Sequence, residues 1–124
     1  MKKVLIAEDE KDIRELVGFT LKLAGFEVVF SANGREAVNI AKIDRPDLVL
    51  MDLHMPVMDG EEAARMLAED PLTHNIPVIF MTARDQDAEI CGRIGQGVDF
   101  IAKPFAIDSL TKKVLAVLAD NGKE

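Results

Sequence analysis

Five residues capable of chemistry stand at the ends of short runs that read as strands. Glu8 and Asp9 follow Val4-Leu5-Ile6-Ala7, and Asp52 follows Leu48-Val49-Leu50-Met51. Thr82 follows Val78-Ile79-Phe80-Met81, and Lys103 follows Val98 to Ala102. Taken singly, each has a simpler reading. Glu8 and Asp9 suit a helix N-terminus, where acids interact favourably with the dipole. Asp52 could merely end a strand, Thr82 could cap a helix, and Lys103 could be a surface lysine. Together they describe something else. If the runs are parallel strands, all five side chains come from one edge of the sheet, where open parallel sheets bind ligands. Three acids at one spot repel each other and call for a cation. Oxygen ligands without a Cys or His partner favour Mg²⁺ or a similar hard ion such as Mn²⁺. A lysine and a hydroxyl beside such an ion suit phosphate. A carboxylate facing all three can attack a phosphoryl group.

The elements that must position these residues follow from the pattern. The continuous apolar run before Asp52 fits a strand buried on both faces, with helices on each side. Ile13, Leu16, Val17, Thr20, Leu21 and Ala24 repeat at helical spacing and predict an inward helix face, closed by Gly25. Glu27 to Ser31 predicts a second strand, Asn33-Gly34 a turn, and Arg35 to Ile43 a second helix. Asp59 caps a third helix from Gly60 to Glu69. Asp85 to Ile94 predicts a fourth helix weakened by Gly92, with Gly95 and Gly97 just beyond it. Cys91 is read as a packing residue of that helix. A last helix carries Ile107, Leu110, Val114, Val117 and Leu118 inward. Five strands alternating with five helices predict an α/β, doubly wound parallel sheet with helices on both faces.

Composition bounds the partners. The chain has 124 residues, which fits one domain over 1–124, with residues 120–124 a polar tail or the stump of a linker. Its net charge is −7, which argues against direct nucleic-acid binding by this domain. Cys91 is the only cysteine, so no internal disulfide is possible and a reducing cytoplasm is the simplest home. The first acid comes too early for a signal peptide, and no apolar run approaches a membrane span. His54 and His74 are expected as exposed loop residues. The methionines are expected mostly as core filler, with Met55 and Met58 part of the loop after Asp52.

The motifs Leu5-Ile6-Ala7-Glu8-Asp9, Asp52 to Gly60, Met81-Thr82-Ala83 and Lys103-Pro104-Phe105 appear in that order along almost the whole chain. In this combination the sequence resembles the receiver domain of two-component response regulators, including single-domain chemotaxis regulators. The resemblance implies the flavodoxin-like strand order 2-1-3-4-5. It implies Asp52 as phosphoryl acceptor, and a Mg²⁺ (or Mn²⁺) site made by Asp9, Asp52 and the His54 backbone carbonyl, with Glu8 acting through a water. Thr82 and Lys103 would bind the phosphoryl group. Thr82 and Phe100 would form the switch, Phe standing where Tyr is frequent, so no hydroxyl can donate there. Pro104 would follow a cis bond, against a base rate of about 5–6% for such bonds. His54 and Arg84 would flank the path of the attacking water and modulate hydrolysis. The implied partners are a sensor histidine kinase or phosphotransfer protein. A downstream protein or output domain would meet the face formed by the fourth helix, fifth strand and last helix. Such a domain is a regulatory switch that catalyses only its own phosphoryl transfer and aspartyl-phosphate hydrolysis.

Two rivals come from other classes. A Mg²⁺-dependent phosphatase resembling the haloacid dehalogenase type would carry a second Asp two residues after the nucleophile, where this chain has His54. A degenerate receiver used only for docking would have lost an acid or the lysine, and this chain keeps them all.

Overall fold

The computed structural model describes residues 1–82, 98–103 and 105–121, and statements of absence below refer to these. The strands are β1 (Lys3–Ala7), β2 (Glu27–Ser31), β3 (Leu48–Asp52), β4 (Val78–Thr82) and β5 (Val98–Ala102). They form one parallel sheet in the order β2-β1-β3-β4-β5. Four helices are described: α1 (Lys11–Leu23), α2 (Gly34–Asp44), α3 (Gly60–Glu69) and α4 (Ile107–Asn121). The predicted fourth helix, with Cys91 and Arg84, lies outside the described residues, as do Pro104 and its bond to Lys103. The last helix therefore carries the label α4, and it runs two residues into the stretch read as a polar tail.

The continuous apolar runs are explained by two cores, one on each face of the sheet. Leu5 and Ala7, Val49 and Met51, and Val78 and Phe80 point to one core, shared with Ala37, Ala41, Ala63 and Leu67 of α2 and α3. Val4 and Ile6, Leu48 and Leu50, and Ile79 and Met81 point to the other, shared with Val17, Leu21, Leu110 and Val114 of α1 and α4. Successive strand residues alternate sides, so a strand covered on both faces has no position for a polar residue. The first polar side chain in β3 is Asp52, at its carboxyl end.

Local signals set most helix ends as expected. Gly25 has φ +97°, the left-handed geometry a glycine adopts after a helix, and Ala24 N–H closes onto the last turn. Asp59 accepts from Glu62 N–H at 2.9 Å and caps α3. Asn33 and Gly34 depart from the expected turn. Asn33 is the N-cap of α2, accepting from Glu36 N–H at 2.8 Å, and Gly34 is its first helical residue. An Asn-Gly pair serves either role, and the helical run that follows decides. The expected inward faces are also too wide. Leu16 is 49% exposed and Ala24 is exposed, because α1 rests on the sheet through Val17, Thr20 and Leu21. Ile107 is half exposed at the start of α4. Conversely Met55 and Met58, read as loop residues, are buried core.

Candidate functional site

Parallel register brings the strand ends level. Ala7 pairs with Met51, Asp52 with Met81, and Thr82 with Ala102. Glu8 leaves β1 at this edge with its N–H on the Ser31 carbonyl at 3.1 Å. Lys103 leaves β5 with its N–H on the Thr82 carbonyl at 2.6 Å. The predicted acids and the lysine thus meet at the middle of the sheet's carboxyl edge.

Their contacts are close. Lys103 Nζ donates to Glu8 Oε1 at 2.7 Å and to Asp52 Oδ2 at 3.1 Å. Asp52 Oδ1 accepts from the His54 backbone N–H at 3.0 Å. Carboxylate oxygens of Glu8, Asp9 and Asp52 all lie within 4.8 Å of one another. Glu8 and Asp52 are buried, whereas Asp9 is exposed at the rim. This is an all-oxygen donor set open to solvent on one side, which fits a hard divalent cation.

Burial and crowding act on the charges. Burial is the main cause that pushes Glu8 up to about 7, the Lys103 hydrogen bond opposes it, and the hydrogen bond and charge of Asp52 add to it. For Lys103, burial works against the charged form. The hydrogen bonds and charges of Glu8 and Asp52 outweigh it and hold the ammonium above its ordinary value. Lys103 therefore stays charged and bridges the two buried acids, Glu8 and Asp52.

Thr82 is buried at the end of β4, beside the strand that carries Lys103. Phe100 sits on β5 in register with Phe80 and is 39% exposed. The side chains of His54 and His74 are exposed, as expected. Arg84 and Pro104 fall outside the described residues.

Three supports were not legible in the sequence. Arg14 Nη1 donates to the Glu8 carbonyl at 2.7 Å, tying the first turn of α1 to the loop that carries the acid pair. Nothing in hydrophobic periodicity marks such an arginine. Gly34 N–H donates to the Met58 carbonyl at 3.0 Å, and Gly60 N–H to the Leu53 carbonyl at 2.9 Å. A Cβ on Gly60 would stand 2.4 Å from the Asp52 carbonyl oxygen, and one on Gly34 would stand 2.2 Å from that of Met58. Both glycines open helices, and that placement was the available signal. The loop over residues 53–59, after β3, holds Val57 at φ +69°, a left-handed conformation that a β-branched residue adopts only under strain.

A sheet of this order, with acids and a lysine gathered at its carboxyl edge, fits the class of phosphorylation-dependent signalling domains. Residues 4–115 match the family model of the response regulator receiver domain, and this chain belongs to that family, the phosphorylation-dependent switches of two-component signalling. The chain is 38% identical to the phosphate regulon transcriptional regulatory protein PhoB of Pseudomonas aeruginosa, over 98% of this chain and 53% of that protein. It spans about half the length of the first curated relatives it matches. Protein PilH of the same species is 35% identical over 96% of this chain and 99% of that protein. Among solved structures, chemotaxis response regulator CheY4 of Vibrio cholerae aligns with a TM-score of 0.87 and 32% identity, over 94% of this chain and 98% of that one. The receiver domain of a P. aeruginosa sensor histidine kinase, solved with a magnesium ion coordinated in the active site cleft, aligns with the same TM-score at 29% identity, covering 95% and 98%. The phosphatase reading gains no support from these relatives. No described helix is long and apolar enough to cross a membrane.

Proposed function

We propose that Asp52 accepts a phosphoryl group from the phosphohistidine of a sensor kinase or phosphotransfer protein, and that the chain, one receiver unit over residues 1–124, relays the modification to a partner or output domain. One observation carries this reading: the only carboxylate on the central strand lies 3.1 Å from a charged lysine and within a three-carboxylate cluster. An Asp52 oxygen attacks phosphorus in line. The new P–O bond forms as the P–N bond to the donor imidazole breaks. Lys103 already touches Asp52 and stays positioned for the oxygens of the incoming group. Thr82, at the adjacent strand end, offers its hydroxyl to the same group. Asp9, Asp52 and the His54 carbonyl would hold Mg²⁺ or Mn²⁺, with Glu8 through a water. When bound, the ion offsets charge on the transferring phosphoryl oxygens.

Water later attacks the aspartyl phosphate, a mixed anhydride, and returns carboxylate and inorganic phosphate. His54 and Arg84, each two residues beyond a site residue in the sequence, are the positions we assign by family resemblance to tuning that hydrolysis. Phosphate favours the state in which Thr82 moves toward it and Phe100 turns inward. A downstream partner then reads the face that includes β5 and α4. A histidine kinase as donor fits a cytoplasmic protein.

The test is phosphoryl uptake from acetyl phosphate in Mg²⁺, followed by mass spectrometry under mild conditions. Wild type gains one phosphoryl group on the peptide containing Asp52, and Asp52→Asn gains none while remaining folded. Phosphate recovered on another residue of the wild type overturns the assignment.

A further inference from the structure

The three acids at the sheet edge are not held alike. Lys103 donates to both Glu8 and Asp52, and the His54 N–H fixes the other oxygen of Asp52. Among the described residues, no hydrogen bond or ion pair holds the Asp9 carboxylate, which is exposed at the rim. Its direction is therefore set by the backbone that carries it. One residue grips that backbone on both sides. Arg14 Nη1 donates to the Glu8 carbonyl, just before Asp9, at 2.7 Å. The Arg14 N–H donates to the Glu10 carbonyl, just after Asp9, at 2.9 Å. Other support at this point is thin. Glu10 is the N-cap of α1 but makes no side-chain cap bond, unlike Asn33 and Asp59 on α2 and α3. The Glu10 N–H reaches Glu8 Oε2 only at 3.4 Å.

We propose that Arg14 is a positioning residue for the cation site: its guanidinium fixes the Glu8–Asp9 peptide and so aims the Asp9 carboxylate toward Asp52. This rests on the reading of Glu8, Asp9 and Asp52 as a divalent-cation site. Almost any residue at 14 would keep the main-chain bond to Glu10, so the specific part is the side-chain bond to Glu8. Charge cannot be its purpose. A half-buried guanidinium beside the acid pair repels a cation entering the cluster, so on Coulomb grounds Arg14 weakens metal binding. Positioning acts with the opposite sign, because a ligand held in place before the ion arrives binds it more tightly.

The test is a Mg²⁺ titration of the chelator-treated chain, followed by nuclear magnetic resonance. Arg14→Met keeps the apolar stem and removes the donors. It should stay folded and bind Mg²⁺ about tenfold more weakly, the low end for removing the support of a metal ligand. Its Asp9 and Glu10 amides should exchange hydrogen faster than in wild type with no metal present. Arg14→Gln, neutral and too short to reach the Glu8 carbonyl, takes its place if Arg14→Met fails to fold. An unchanged Mg²⁺ affinity overturns the proposal and makes Arg14 a staple between α1 and the loop. A tighter affinity overturns it too, and leaves only the charge effect. Asp9→Asn separates this from the cation reading itself. Arg14 acts through Asp9, so adding Arg14→Met to Asp9→Asn should cost almost nothing more. A further loss equal to that in the wild-type background overturns the positioning role while the cation site stands. Wild-type Mg²⁺ affinity in Asp9→Asn alone refutes the cation reading, and the proposal with it.

Discussion

Glu8 is a buried acid whose proton affinity is raised by its surroundings, so Glu8→Gln should change how stability depends on pH. Folding raises its pKa from the ordinary 4.5 to about 7. Between those values the folded chain binds more protons at this site than the unfolded chain. Stability must then fall as pH rises through the window: the contribution is fully present below 4.5 and lost above about 7. A shift of about 2.5 pH units at 1.36 kcal/mol each gives at most about 3 kcal/mol. Acids close together in a compact denatured chain reduce that figure. Glutamine imitates the protonated acid without titrating. Glu8→Gln should therefore match the wild type near pH 5 and exceed it by about 1–3 kcal/mol near pH 8. The assay is urea denaturation in chelator, followed by far-ultraviolet circular dichroism because the chain has no Trp or Tyr. A difference between the two proteins that stays constant from pH 5 to pH 8 refutes the argument. It would mean that Lys103 satisfies Glu8 so fully that burial costs the charge nothing.

Two substitutions probe the loop after Asp52. Val57→Gly relieves a left-handed backbone at an exposed side chain. It should raise stability by about 0.5–1 kcal/mol in the same urea assay, the relief exceeding the glycine's added entropy when unfolded. A lower urea midpoint would show that no strain resides there. Gly60→Ala places a methyl group against the backbone of Asp52 and Leu53. It should cost about 2–4 kcal/mol and weaken Mg²⁺ binding by calorimetry, and a neutral result would show that the loop yields easily.

The sheet and the site were legible in the sequence for the same physical reason. The central strands β3 and β4 admit no polar side chain before their last residue, so each apolar run announces its own end, whereas edge strand β5 carries Asp99 and was marked by its spacing from β4 and by the Lys103-Pro104 pair after it. The residue at that end is then exposed as a chemical choice: Asp52, Thr82, Lys103. What stayed hidden depends on contacts between segments far apart in the chain. Leu16 has the right spacing for an inward face, yet how far α1 rolls against the sheet leaves it half exposed. Arg14 resembles any solvated helix arginine until the Glu8 carbonyl is placed beside it. Asn33-Gly34 has the chemistry of a turn and of a helix start, and the pair alone does not separate them. The methionines at 55 and 58 follow no period because they cross a loop, so their burial could not be read from spacing.

The two glycines packed against backbone divide the site into a fixed jaw and a movable one. Gly60 abuts the Asp52 carbonyl and Gly34 the Met58 carbonyl, and a side chain at either position would collide with the backbone of the loop over residues 53–59. On the reading proposed above, a group attached to Asp52 would do its work across the cleft, toward Thr82, Lys103 and the strands that carry them. Sequence drift should divide in the same way. Changes in the fixed jaw would be felt as loss of the folded protein, and changes in the movable jaw as signals that fire too readily or not at all. A collection of signalling variants selected for retained expression should accordingly be crowded on the β4 and β5 side and sparse between Asp52 and Gly60.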